Sequence, residues 1–176
     1  MLHKIAFASA ISGVALLCVS ALAGRAQQMA PAKSNPAFEQ IKALAGKWQG
    51  TSPDGKSVDV EYQVVSNGTA VMERLHPHDE VEMITMYSAD GSRVSVMHYC
   101  SVGNQPQMQT EPLTAPSPKI AFHFVRATNL ASPESGHMDK LTLGLPDGGK
   151  HLTQEWIFVE NGKPTHTEVF SFTRKS

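Results

Sequence analysis

The sequence predicts an all-β fold: a single antiparallel, up-and-down β-barrel of about ten strands, preceded by one short N-terminal helix. Three observations carry this prediction. Turn sequences recur at short intervals, at Pro53-Asp54-Gly55, Asn67-Gly68, Asp90-Gly91, Asp147-Gly148-Gly149 and Asn161-Gly162, and they supply the positive φ angles of tight hairpins. Between them lie runs rich in valine, threonine, isoleucine and aromatics, which suit a pleated, half-buried surface. No interval after the first helix has room for a crossover helix, so the connections are hairpins. A flat sheet of this many strands would expose two edges, and closure removes them; a two-sheet sandwich is the alternative.

Taken in order, Met1-Leu2-His3-Lys4 precede an apolar run from Ile5 to Ala23, with small residues at Ala21-Leu22-Ala23 and Gly24-Arg25-Ala26. This is the pattern of a secretory signal peptide over residues 1–26, so the expected destination is the periplasm or the medium. Ser9, Ser12, Gly13 and Ser20 dilute the run below a membrane span. Ala15-Leu16-Leu17 before Cys18 lack the small residue that precedes a lipidated cysteine. Residues 27–35 show no periodicity and read as a flexible leader. Asn35 before Pro36 suits a helix cap followed by proline at the first helical position, and Phe38, Ile41, Leu44 and Ala45 follow at helical spacing. A helix over residues 36–45 is expected, ended by Gly46. Strands are then expected at 47–52, 57–65, 69–76, 81–88, 92–100, 105–111, 119–126, 138–145, 151–159 and 164–173. The domain runs over residues 36–176. Apolar residues occur on both parities, Val94 and Val96 against Met97 and Tyr99, Trp156 and Phe158 against Ile157 and Val159. Inward faces are therefore left open at this point.

Composition bounds the function. Of 176 residues, 41% are hydrophobic and 18% charged, the balance of a folded soluble protein. Without residues 1–26, which hold Lys4 and Arg25, basic residues fall from 15 to 13 against 16 acidic ones. The resulting net charge near −3 offers no basic stripe for a nucleic acid. Cys100 is the one cysteine outside the signal peptide, so no internal disulfide forms and the fold rests on its apolar core.

The segment Leu44-Ala45-Gly46-Lys47-Trp48-Gln49-Gly50 resembles the opening strand of calycin-type barrels, with Gly46 and Trp48 on the glycine-x-tryptophan positions of lipocalins and of nitrobindin-like, fatty-acid-binding-protein-like barrels. In such barrels the tryptophan packs across the closed end. Over residues 38–174 the chain more closely resembles an uncharacterised family of secreted bacterial lipocalin-like domains, through His98-Tyr99-Cys100 with Asn104-Gln105-Pro106, Gly136-His137-Met138 and Thr153-Gln154-Glu155-Trp156. That resemblance implies a fold without a known activity. The nitrobindin likeness further implies that His166, on the last strand, is an axial haem ligand.

The leading expectation is a non-enzymatic binding protein that holds a small, largely apolar or amphipathic molecule in a barrel cavity. Its ligand-binding candidates are His98, Cys100, Asn104, Gln154 and Trp156. His98 and Cys100 share a strand face about 6 to 7 Å apart, and a catalytic thiol needs its histidine near 3 Å, so the pair reads as a buried cysteine beside a hydrogen-bonded histidine. Gln154 places an amide on the apolar stripe of Leu152, Trp156 and Phe158, where it needs partners such as His98 or Asn104. The alternatives are haem held by His166, and an enzyme using His98 with Gln154 or Glu155. His76-Pro77-His78-Asp79-Glu80 with Glu82 offers metal-ligating groups without four at a fixed geometry. No metal site and no catalytic residue is assigned.

Overall fold

The computed structural model describes residues 34–78 and 80–175. The expected signal peptide and nearly all of the leader lie outside the described residues. One helix, α1 (Pro36–Lys42), precedes ten strands: β1 (Gly46–Thr51), β2 (Ser57–Val65), β3 (Ala70–Pro77), β4 (Met83–Asp90), β5 (Arg93–Tyr99), β6 (Gln105–Thr110), β7 (Lys119–Thr128), β8 (His137–Gly144), β9 (His151–Glu160) and β10 (Lys163–Arg174). Each strand pairs antiparallel with its neighbours in sequence, and β10 closes on β1 through Trp48 opposite Arg174 to Thr51 opposite Ser171. The sheet is a closed barrel, as the need to remove exposed edges predicts, and not the alternative sandwich.

Helix α1 covers one end, here the helix end. The Asn35 side chain accepts the Phe38 N–H at 3.0 Å and donates to the Gly91 and Arg93 carbonyls at 3.0 and 2.9 Å. One buried amide thus caps the helix and ties it to the β4–β5 turn. The helix stops three residues before the expected position. Leu44 and Ala45 donate to the carbonyls of Ile41 and Lys42, the tighter three-residue pattern that ends many helices. Trp48 is fully buried, its Nε1 donating to the Leu44 carbonyl at 2.9 Å. Arg174 stacks over its ring at 4.2 Å and donates to the Ala45 and Ala43 carbonyls at 2.7 and 2.9 Å. The last strand therefore satisfies carbonyls that the helix end leaves open. Gly46 has φ +124°, which permits the abrupt passage from helix to strand.

Register settles the inward faces. Val94 and Val96 are buried, whereas Tyr99, on the other parity, is 46% exposed. Met86, Met97, Tyr99 and Val125 line an outer groove of about 460 Å³. The second apolar parity is thus a partly apolar outer surface. Inside, Phe122, Leu141, Leu143 and Leu152 are fully buried and fill the barrel; a fully buried side chain of this kind contributes roughly 1.5–3 kcal/mol.

Candidate functional site

The middle of the barrel holds a polar cluster built from opposite walls. Tyr62 comes from β2, Glu73 from β3, Thr85 and Tyr87 from β4, His98 from β5, and Gln154 and Trp156 from β9. Each is inward by the two-residue period of its strand: Glu73 stands between Val71 and Leu75, Thr85 between Met83 and Tyr87. Glu73 is at the centre and has no exposed surface. Tyr87 donates to its Oε2 at 2.6 Å and Gln154 Nε2 to the same oxygen at 3.1 Å. Thr85 donates to its Oε1 at 3.3 Å, and the Tyr62 hydroxyl bonds it as well. Gln154 Nε2 also donates to Tyr62 Oη at 2.7 Å, and its Oε1 accepts from Trp156 Nε1 at 3.0 Å, which fixes the amide's orientation.

The proton directions follow. The single Thr85 proton is committed to Glu73, so Thr85 Oγ1 accepts from His98 Nδ1 at 2.9 Å. His98 therefore carries its proton on Nδ1 and presents a lone pair on Nε2. Every donor in the chain points toward Glu73.

Electrostatics agree with this arrangement. Burial raises the Glu73 carboxyl above the usual carboxylate range, against the hydrogen bonds from Tyr62, Tyr87, Thr85 and Gln154 that favour its ionised form. Burial and the nearby Glu73 charge push both phenols well above their ordinary value, so they remain donors. Burial lowers His98 to about 4 and keeps it neutral near pH 7. Its ring lies 4.5 Å from the Trp156 ring. Among the described residues Glu73 touches neutral donors only and no cation.

Two buried side-chain atoms among the described residues lack a hydrogen-bond partner: His98 Nε2 and Asn104 Oδ1. Asn104 Nδ2 donates to the Gly136 carbonyl at 2.8 Å, so the free atom is the amide oxygen. Both orphans are acceptors. Cys100 N–H donates to the Asn104 carbonyl at 3.1 Å and closes the β5–β6 loop. Val96 opposite Met108 is an inward pair, so by alternation His98, Cys100 and Asn104 continue the inward rows away from the helix.

The wall beside these atoms is incompletely paired. β7 pairs with β8 only over Lys119 to His123, opposite Gly144 to Lys140, yet it continues along β6 as far as Thr128. From Phe124 upward it has no ladder partner on the β8 side. The Phe124 and His137 rings fill the gap with centroids 4.4 Å apart, and His137 Nδ1 bonds the Ser135 carbonyl at 2.9 Å. A cleft of about 530 Å³ opens there, lined by Phe124, Val125, Leu130, Pro133 and His137.

The expected site residues thus divide. His98, Gln154 and Trp156 meet in the core, with Cys100 and Asn104 on the same inward rows above them. The sequence suggested His98 or Asn104 as partners of Gln154, and the structure corrects this: its partners are Tyr62, Glu73 and Trp156. Glu155 pairs with Thr142 and Val169 on the outward parity. His166 stands at the rim with 60% of its side chain exposed, 3.2 Å from Glu168, beside a pocket of about 230 Å³ that includes Pro77 and Phe170. No group of three metal-ligating side chains occurs among the described residues; Asp79 of the His76–Glu82 turn lies outside them. Sequence reasoning missed Glu73, Thr85, Tyr62 and Tyr87.

No family model matches the chain, and no curated protein matches it. Among solved structures, it is similar to a protein of unknown function from the DUF3598 family of Nostoc punctiforme, with a TM-score of 0.51 and 14% identity over 77% of this chain and 49% of that one. The chain spans about half the length of that protein. At this identity the likeness concerns the fold.

Proposed function

We propose that this chain is an exported, calycin-type binding protein that holds one small amphipathic molecule in the half of the barrel away from α1. The observation that carries the reading is the pair of buried, unpartnered acceptors, His98 Nε2 and Asn104 Oδ1. An acceptor left unpaired in the interior costs about 1–3 kcal/mol, and a ligand N–H or O–H aimed at it offsets that cost. Trp156 and Met83, each slightly accessible, supply apolar surface for the ligand's body. Glu73, Thr85, Tyr87 and Gln154 leave no exposed surface below, which confines the ligand to the layer between the polar cluster and the rim. Its route in lies on the β7–β8 side, where the Phe124 and His137 rings close the gap in the ladder and move aside to admit it.

The exposed setting of His166 lends the haem reading no support. An enzyme built on His98 with Gln154 or Glu155 fares no better, because Gln154 is fully engaged and Glu155 faces outward. Native mass spectrometry of protein purified from its own compartment tests the proposal. A bound small molecule is expected, lost in the double variant His98→Leu, Asn104→Leu. Protein that carries nothing, and gains no thermal stability from any member of a broad small-molecule panel, contradicts it.

A further inference from the structure

We infer that the site selects a protonated primary amine, an inference that rests on the binding reading above and specifies its ligand. Three features of the same half of the barrel converge on a positive charge. First, the unpartnered atoms are both acceptors, so the groups that complete them are donors, and an ammonium head carries three donors and no acceptor. A hydroxyl would bring its own lone pairs into a site whose remaining polar atoms are acceptors.

Second, the nearest buried ionisable group is a carboxyl that only neutral donors surround. Glu73 lies two hydrogen bonds from His98, through Thr85, with neutral donors only around it among the described residues. Burial without a cation raises this carboxyl, and a cation brought into the same low-dielectric region favours its ionised form, which the four donors around it already suit. The hydrogen-bond direction reinforces this. His98 donates through Nδ1 toward Thr85 and Glu73, which increases the electron density at Nε2 and makes it a better acceptor for N⁺–H.

Third, the Trp156 ring lies 4.5 Å from the His98 ring in this half of the barrel, and the Phe124 ring stands toward the β7–β8 gap, 4.4 Å from the His137 ring. Aromatic faces attract ammonium groups where a hydroxyl gains little. The ligand's apolar body then lies toward the β7–β8 gap, with its ammonium between His98 and Asn104.

The test is calorimetric titration of the full folded domain with primary amines graded in size from butylamine to 2-phenylethylamine, each matched with the alcohol of the same skeleton. The expected result is that each amine that binds does so about tenfold or more tightly than its alcohol, the size of one partly screened charge interaction, and that Glu73→Gln brings the two together. If the alcohols bind as tightly as the amines, the charge inference is overturned while the binding reading stands. If the preference survives Glu73→Gln, it is overturned as well, because the carboxylate is not its source. If neither series binds, the amine inference is overturned, and the binding reading is decided separately by the native mass spectrometry and the broad panel. Should Glu73→Gln not fold, the amine-to-alcohol ratio in the unaltered protein decides between these outcomes.

Discussion

Replacing His98 with glutamine makes the pH dependence of stability report on the buried ring. In the folded protein burial lowers His98 from 6.5 to about 4, whereas in the unfolded chain it titrates near its ordinary value. Between those two values the unfolded chain takes up a proton that the folded one refuses, so folding is opposed increasingly as the pH falls. One pKa unit corresponds to about 1.4 kcal/mol, so the full interval removes about 3 kcal/mol of stability by pH 4. Glu73 has the opposite sign, because its folded carboxyl is raised and protonation there favours the folded state at low pH. It is present in both proteins and cancels in the comparison. Urea unfolding of wild type and His98→Gln, followed by tryptophan fluorescence from pH 8 to pH 4, gives the two curves. Above about pH 7 their separation is expected to be constant, and below it the wild type loses about 3 kcal/mol relative to the variant. Parallel curves over the whole range would refute the buried, neutral state of His98.

Other consequences are open to measurement. Tyr87→Phe deletes a 2.6 Å hydrogen bond to the buried carboxyl and is expected to cost about 1.5–3 kcal/mol in chemical denaturation; a cost below 0.5 kcal/mol would mean that the bond is dispensable. Asn35→Ala removes the cap of α1 and the donors to the β4–β5 turn, with an expected loss of about 1–2 kcal/mol and earlier amide exchange in residues 36–42. Gly50→Ala places a Cβ 2.1 Å from the Ser171 carbonyl oxygen of β10, so thermal unfolding should shift by the equivalent of about 3 kcal/mol or more, and a neutral effect would contradict the close approach of β1 to β10.

Much of the architecture could be read from local chemistry. Turn pairs such as Asn161-Gly162 mark a hairpin by their own φ angles, 52° and 68°, and need no distant partner. The ten strands fall where those turns place them. The site divides along the same line. Gln154 was visible because an amide on an apolar stripe violates its strand's pattern. Glu73 breaks the row of Val71 and Leu75 in the same way, and Thr85 that of Met83 and Tyr87; strict use of period two would have exposed both. The ambiguous faces of β5 and β9 obscured that rule, since Met97 and Tyr99 make part of the outer surface apolar as well. Contacts across the barrel were beyond reach. Gln154 on β9 meets Tyr62 on β2 and Glu73 on β3, and hairpin registers say which strands adjoin, not which inward side chains touch across the interior. The β7–β8 gap depends on how far each ladder runs, which turn chemistry does not specify.

The chain of donors that ends on Glu73 and leaves His98 Nε2 as a bare acceptor is tested most directly by the ring nitrogens themselves. Long-range proton–nitrogen correlation spectra of protein labelled with nitrogen-15 histidine distinguish the two tautomers. At pH 7 the account predicts a proton on Nδ1 and none on Nε2, with the Nε2 resonance moving when 2-phenylethylamine is added. A proton found on Nε2 would reverse the direction of the chain and contradict the account.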